Sequence, residues 1–596
     1  MNRYRPKLLF LLAAFLAGWA CSPSANPPTL GGASGPAQPA EEVNGPALFS
    51  DITDSSGMAI TYRNGEEVNH LSILESLGGG VGIIDFDNDG LLDVFITGGG
   101  DFVGTDKKEI VGLPCKLFRN LGNNRFKDVT ADVGLKHLAG GKPWFYSHGV
   151  AVADFDRDGY PDLLVLGWGR IALFRNIEGK RFEDVSASAK LDSGITWATS
   201  GAWADFDGDG WPDLYVCQYV DWSFANHPRC AYDGKTPDVC PPKGFRGLTH
   251  KVYRNLGNGS FEDVSATCGL LAGSANCSKG LGVLAVDVDA DGRPDIYVCN
   301  DTVDKLLYIN QSTKGKIRFD ERGLLSGSAR DDQGNPNGSM GVDAGDFDGS
   351  GKPGLWVTNY QNELHGLYRN LCRDGQTMFG YQTSAAGIGA IGQKYVGWGT
   401  GFIDFNLDGW EDLFVSNGHA IRYPTEPGVT RKQKPVLLLN RGEGKFSPAR
   451  KRIGAYGDQD HLGRGVGFVD LDNDGRVDMV LNHMNEPTAV LRNICPEENH
   501  WLGVKLIGHE NADVVGARVV LEVGNRKQSH FAKGGGSYAS SSDPRLVFGL
   551  GKTDRVGKLT VTWPDGKEQE WTGLGVDQYH VITQGRKDAA KYKVKK

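Results

Sequence analysis

At 596 residues the chain exceeds one ordinary domain of ~100–200 residues, so several modules or one large repeat array are expected. Charged residues at 23% and hydrophobic residues at 39% exclude a disordered chain. A formal charge of −9 argues against nucleic acid as a partner, since phosphate contacts need clustered Lys and Arg. Glycine is the outlier, with 84 residues, about twice the usual ~7%. Without a Gly-X-Y period, glycine spread among aromatic residues and Asp reads as tight turns between short strands, an all-β repeat fold.

The first element is an export signal over residues 1–20. Arg3, Arg5 and Lys7 precede a 13-residue apolar run from Leu8 to Ala20, too short to span a bilayer. Cys21 and the Ser/Pro/Ala/Gly-rich tether over 21–47 look like a bacterial lipoprotein. Acylation is expected at Cys21, with the membrane engaged through that anchor only. Free secretion after cleavage behind Ala20 is the alternative. Nine cysteines follow Cys21, so at least one is free or paired outside the chain. Cys230 with Cys240 and Cys268 with Cys277 are the expected local disulfides.

An acidic loop then recurs along the chain. Its intact copies carry Asp85, Asp87, Asp89 and Asp93; Asp154, Asp156, Asp158 and Asp162; Asp205, Asp207, Asp209 and Asp213; and Asp287, Asp289, Asp291 and Asp295. Two more carry Asp404, Asn406, Asp408 and Asp412, and Asp470, Asp472, Asp474 and Asp478. A damaged fifth copy keeps Asp346 and Asp348 but has Ser350 and Gly354 in place of the other two acids. Oxygen ligands at positions 1, 3, 5 and 9, with Gly at 6 for the turn, suit Ca²⁺. About six Ca²⁺ sites are expected, with the fifth loop weak or empty. An EF-hand would need Glu at position 12. Here that position holds Ile96, Val165, Val216, Val298, Val357, Val415 and Leu481, which belong in buried strands.

Each loop sits in one frame. A Gly-rich apolar strand precedes it and a second strand follows. A third strand ends at Asn120, Asn176, Asn255, Asn310, Asn370, Asn440 or Asn493, with Arg before that Asn in five copies. A fourth strand closes the unit. Seven such units predict a seven-bladed β-propeller over 48–495. The last unit lacks its fourth strand, and Phe49-Ser-Asp-Ile-Thr53 resembles it, so the first strand should complete the last blade. Alternating strands at Ala517–Val523 and Lys558–Trp563 predict a small β-rich C-terminal domain over 499–585. A basic tail over 586–596 reads as a solvated end.

The repeats resemble the FG-GAP/VCBS repeats of integrin α-subunit propellers. Trp398-Gly-Thr-Gly401, Asn417-Gly-His419 and Arg464-Gly465 extend the resemblance to the cartilage acidic protein family. Asn499-His-Trp-Leu502, Gly516-Ala-Arg-Val519, Ser542-Asp-Pro-Arg545, Phe548-Gly-Leu-Gly551 and Trp563-Pro-Asp-Gly566 resemble its ASPIC/UnbV domain. The resemblance implies the fold and the metal. It implies no single reaction.

Uneven spacing places insertions between the second and third strands, near residues 98–115, 217–249 and 416–435, on the face opposite the acidic loops. Insertions gathered on one face commonly build a binding surface. His148, Trp197, Asn300, Asp301, Asn359, Glu363, His419, Arg464, Asn482 and His483 fall at that end of the strands, with Trp222 in the longest insertion. They are candidates for a polar ligand, although Asn and His at strand ends often serve local backbone groups. No nucleophile motif, phosphate loop or zinc signature appears. The leading expectation is an exported binding or adhesion module for glycan, matrix or a surface protein. The alternative is an enzyme using His419, His483, Asp301 and Arg464 at the propeller mouth.

Overall fold

The computed structural model describes residues 41–271, 277–389 and 391–595. The expected export signal, Cys21 and most of the expected tether lie outside the described residues. Seven four-stranded antiparallel units follow one another in chain order, with a second strand returning beside each inner strand. In blade 1 these are Val81–Ile84, Asp93–Ile96, Lys116–Asn120 and Phe126–Asp128. The inner strand of each blade packs beside that of the next, and the inner strand of blade 7, Gly463–Val469, returns beside that of blade 1. The ring is therefore a closed seven-bladed propeller.

Closure uses the chain start. Phe49–Asp51 pairs antiparallel with Ala489–Asn493, matching Phe49 to Asn493 and Asp51 to Leu491. The seventh blade thus takes its outer strand from before the first, which gives it the same four strands as the others. Apolar faces of adjacent blades form separate core clusters, such as Leu163, Val165 and Phe174 against Phe95 and Leu117.

The glycine excess has a steric cause on the inner strands. A Cβ on Gly341 would lie 2.0 Å from the Trp398 carbonyl oxygen, and one on Gly149 would lie 2.1 Å from that of Thr199. Each such glycine lets a crowded inner strand approach its neighbour around the axis.

The C-terminal domain packs two sheets. One joins Leu546–Gly551, His500–Ile507, Tyr579–Thr583 and Ala590–Lys591. The other joins Arg526–Phe531, Arg518–Val523, Leu559–Thr562 and Glu568–Trp571. Leu502, Val519, Phe548, Val561 and Trp563 are buried between them. The basic tail is solvated as expected, with Lys587, Lys591, Lys593 and Lys595 exposed, but it is not frayed. Ala590 and Lys591 pair with Val581 and His580, and the Lys595 amide donates to the Asp89 carbonyl at 2.6 Å in the first acidic loop. Main-chain pairing, which composition does not show, holds this segment down.

Residues 533–544 of this domain do not stay with it. They enter the propeller axis and bond to the inner strand of every blade. Gly534 and Gly535 pair with Ala285 and Leu284 of blade 4. The amides of Ile83, Val150 and Val342, in blades 1, 2 and 5, donate to the carbonyls of Ser541, Ala539 and Ser537 at 2.9, 3.1 and 3.0 Å. Ser537 Oγ accepts from the Thr400 amide of blade 6 and donates to the Val466 carbonyl of blade 7. Ser200 Oγ of blade 3 accepts from the Ala539 amide at 3.1 Å. Inner strands have free polar groups facing the axis, and this segment satisfies them.

Candidate functional site

The acidic loops are preorganised by their own backbone. In blade 2, Asp154 accepts from the amides of Asp158 and Gly159 at 3.0 and 2.8 Å. Asp158 accepts from Tyr160 at 3.0 Å. Asp162 accepts from Phe155 and Asn176 at 3.0 and 2.7 Å. Gly159 holds φ at 90°, a left-handed value that favours glycine. With positions 1, 5 and 9 tied down, position 3 is left over. Asp87, Asp156 and Asp289 each keep a buried Oδ1 with no hydrogen-bond partner.

The arrangement is electrostatically costly without a cation. Carboxylate oxygens of Asp85, Asp87 and Asp93 lie within 4.8 Å of one another, as do those of Asp154, Asp156 and Asp162 and of Asp205, Asp207 and Asp213. Asp287, Asp289 and Asp291 form a further group. Burial, reinforced by the neighbouring acids, pushes Asp154 and Asp205 up to about 7 and Asp85 and Asp287 up to about 6. Buried carboxylates that converge, with one oxygen unclaimed, fit a hard divalent cation. Bound there, the ion would supply charge neutralisation and lock the turn between the first two strands.

The repeated Arg and Asn acquire roles. Arg119 pairs with Asp87 at 2.6 Å and Asp89 at 3.2 Å. Arg254 pairs with Asp207 at 2.6 Å, Arg492 with Asp472 at 2.8 Å, Arg369 with Asp348 at 2.6 Å, and Arg175 with Asp156. Each guanidinium balances the acids at position 3 or 5 from outside the turn. In the damaged fifth loop a second guanidinium arrives from the C-terminal domain. Arg518 pulls Asp346 down against the dominant effect of burial, which still leaves that carboxyl at about 7. Six loops hold carboxylates at positions where the fifth has Ser350 and Gly354.

On the opposite face, the insertions interlock. Asp238, from the 217–249 segment, accepts the amides of Arg422 and Tyr423 at 2.9 and 2.7 Å. The Arg422 guanidinium pairs with buried Glu75. Cys230 and Cys240 form the expected disulfide. Cys268 does not bridge to Cys277; its thiol is buried in a blade core and directed at the Ser265 carbonyl, 3.8 Å away. Burial also explains why Cys115, Cys217 and Cys299 are thiols inside the fold.

The predicted ligand face is mostly interior. His148, Trp197, Trp222, Asn300, Asn359, His419, Arg464, Asn482 and His483 are buried. Asn300 Nδ2 donates to the Asp304 carbonyl at 2.8 Å, and Asn359 Nδ2 to that of Leu364 at 2.6 Å. His148 Nδ1 lies 3.0 Å from the Gly78 carbonyl, and burial lowers its pKa to about 4. Asp301, only partly covered, accepts from the Tyr219 hydroxyl at 2.6 Å. His419 Nε2 meets Gln361 Oε1 at 2.7 Å. Glu363 accepts from the Gly338 amide at 2.7 Å. Arg464 donates to the carbonyls of Ser76, Gly463, Gly418 and His419 and stacks its guanidinium 4.1 Å from the Trp398 ring. Trp197 and Trp222 pack together with Tyr62, Tyr146, Trp398 and Tyr538 in one cluster that closes the mouth. These residues therefore do not converge on a common ligand site. Asn300, Asn359 and Arg464 spend their donors on backbone carbonyls, whereas His148 Nε2, Trp197 Nε1 and Asn482 Oδ1 are buried with no hydrogen-bond partner.

A cavity of about 450 Å³ lies elsewhere, between the acidic-loop face and the C-terminal domain, with Glu411, His530, Lys533, Asp343 and Lys505 in its wall. Lys533 bonds Asp343 at 2.6 Å. Sequence reasoning missed it, because half of its wall comes from another domain.

Comparison with known proteins follows the same division. The family described as FG-GAP-like repeat matches residues 85–165, 154–216, 249–298 and 404–481, and the family described as ASPIC and UnbV matches 508–589. Cartilage acidic protein 1 of Homo sapiens is 26% identical over 494 residues, covering 71% of this chain and 70% of that protein. The Xenopus tropicalis protein of the same name is 24% identical over 582 residues, covering 87% and 74%. Among solved structures, an Agrocybe aegerita lectin that recognises terminal N-acetylglucosamine aligns at TM-score 0.36 and 15% identity, covering 63% of this chain and 79% of its own. No helix among the described residues is long and apolar enough to cross a membrane.

Proposed function

The chain belongs to the FG-GAP-repeat and ASPIC/UnbV family that includes cartilage acidic protein 1, and from that premise we propose that it is an exported, lipid-anchored, calcium-binding propeller that acts as a binding module. Its ligand is a glycan, a matrix polymer or a surface protein. Calcium in the six intact loops stiffens one face, and the interlocked insertions present the other. The division of the chain is a tether over 21–47, the propeller over 48–495 and the ASPIC/UnbV domain over 499–585.

One observation carries the reading. The 217–249 and 416–435 insertions are knitted together through Asp238 and Arg422, and Arg422 ties them to Glu75 ahead of blade 1, in a single surface that leaves Tyr232 and Tyr423 exposed. Preordered aromatic side chains lower the entropy cost of binding. A screen of glycans and matrix proteins against the calcium-loaded chain tests it. Binding should be lost in Tyr232→Ala and Tyr423→Ala and in excess chelator. Retention in both variants would sink the assignment of this face. An enzymatic reading would have to move from the mouth to the cavity beside Glu411 and His530.

A further inference from the structure

Blade 7 gathers His461, His483 and Glu486, whose ligating atoms lie within 4.8 Å of one another. They come from different places. His461 lies on the segment paired with Gln433 of the blade 6 insertion. His483 ends the second strand of blade 7, Asp478–His483, and Glu486 sits in the turn that follows. The cluster is separate from the acidic loops, since second strands end on the insertion face.

Hydrogen bonds decide which nitrogens face inward. His483 Nδ1 is 2.7 Å from the Pro487 carbonyl, which only accepts, so Nδ1 carries the proton. Its Nε2 lone pair then receives the Tyr456 hydroxyl at 2.8 Å. His461 Nε2 faces the Tyr456 carbonyl at 3.3 Å, which leaves the Nδ1 lone pair turned towards Glu486 Oε2 at 3.8 Å. In both rings the outer N–H is held by a backbone carbonyl, the arrangement that orients metal-ligating histidines. A lone pair facing a carboxylate is repulsive unless a proton or a cation lies between them.

We propose that His461 Nδ1, His483 Nε2 and Glu486 form a site for a borderline divalent cation of the Zn²⁺ class. Calcium takes six to eight oxygens, whereas two imidazoles and one carboxylate match zinc. Zinc–ligand distances of ~2.0–2.2 Å require the cluster to contract. The two imidazole rings stack with centroids 5.0 Å apart, so the ion draws the His461 ring out of that stack. His461 keeps one edge at solvent, its side chain being 13% exposed, and must slide off the Tyr456 ring stacked on it at 4.1 Å. The Tyr456 oxygen, 2.8 Å from His483 Nε2, must move aside with its buried ring as the ion binds. Lys432, ion-paired with Glu486 Oε1, is the cation that must yield, and at 55% exposure it has solvent to move into. Three protein ligands leave a fourth position for water or for an oxygen of a molecule bound on the insertion face.

The test uses Co²⁺ as a coloured zinc analogue, added to the full chain while excess Ca²⁺ occupies the oxygen sites. One equivalent should bind with visible bands of an imidazole-ligated ion, and Zn²⁺ but not further Ca²⁺ should bleach them. His461→Ala and Glu486→Gln should each weaken Co²⁺ binding by at least about tenfold, with the melting temperature of the cobalt-free protein unchanged. If no bands appear, or if both variants bind as wild type does, the proposal is overturned and the cluster is only a contact between His461 and Glu486.

Discussion

Asn120 donates from Nδ2 to the Leu471 carbonyl at 2.9 Å, joining the first blade to the loop of the seventh. The same side chain donates to the Leu92 carbonyl at 3.1 Å and accepts from the Gly122 amide at 2.9 Å. The relation repeats around the ring, with Asn176 reaching Phe86, Asn255 reaching Phe155, Asn310 reaching Phe206, Asn370 reaching Val288, Asn440 reaching Phe347 and Asn493 reaching Phe405. One residue type thus stitches every blade to its predecessor, and Asn120 closes the circle.

Asn120→Ala should therefore cost about 2–4 kcal/mol, because it leaves two buried carbonyls and one amide unpaired. Asn120→Asp should cost at least as much, since a carboxylate cannot donate to either carbonyl. Urea unfolding of the calcium-loaded chain measures both. A change under about 0.5 kcal/mol, ordinary for a surface position, would show that the ring does not depend on this contact.

The acidic loops make a signed prediction about pH. Burial raises Asp85 and Asp287 to about 6 and Asp154, Asp205 and Asp470 to about 7, well above the ordinary carboxylate range. A carboxyl raised in the folded state adds stability below its unfolded pKa and loses it as pH climbs through the folded pKa. In excess chelator the melting temperature should fall between about pH 4 and pH 7. Calcium competes with those protons, so millimolar Ca²⁺ should flatten or reverse the slope. Calcium at about ten times its Kd adds roughly 1.4 kcal/mol per site. Scanning calorimetry at several pH values, with and without chelator, decides it. Superimposed curves at pH 8 would remove calcium from the account.

The repeat was legible because its signals are local. Asp spacing, Gly at position 6 and Asn at the third-strand end lie within one unit, and the stray first strand carries the motif of the strand it replaces. The mouth was not legible. His148, Asn300 and Asn359 have the composition of a ligand site, but strand ends present unpaired carbonyls that claim the same donors. Trp222, a ligand-face candidate by its place in the longest insertion, is 1% exposed and packs on Trp168, Trp197 and Phe224. The axial segment was hidden for another reason. Lys533-Gly-Gly-Gly-Ser-Tyr-Ala539 has no hydrophobic period, and its partners are spread over seven distant strands.

The membrane anchor is tested at Cys21. In a lipoprotein, Cys21→Ser should shift the chain from the membrane fraction to the soluble exported fraction without changing its calcium response. If the unaltered chain is already free of the membrane, cleavage behind Ala20 is the correct reading.

The axial segment gives the sharpest structural prediction. Tyr538 is fully buried, donates from its hydroxyl to the Leu77 carbonyl at 3.0 Å, and meets the Trp398 ring at 4.9 Å. Trp398 in turn lies under Arg464, whose guanidinium holds the Ser76 carbonyl at 2.8 Å. Removing the ring in Tyr538→Ala should cost about 3–5 kcal/mol, and Trp222→Ala in the same cluster a similar amount. Tyr538→Phe should lose only about 0.5–1.5 kcal/mol. A backbone variant separates docking from packing. A Cβ on Gly80 would sit 1.7 Å from the Ala539 carbonyl oxygen, while Gly244 has open space around it. Gly80→Ala should expel residues 533–544 from the axis and expose them to limited proteolysis, whereas Gly244→Ala should leave them protected. Equal protection in the two variants would mean that the segment is not held by the inner strands, and the axis would again be open to a ligand.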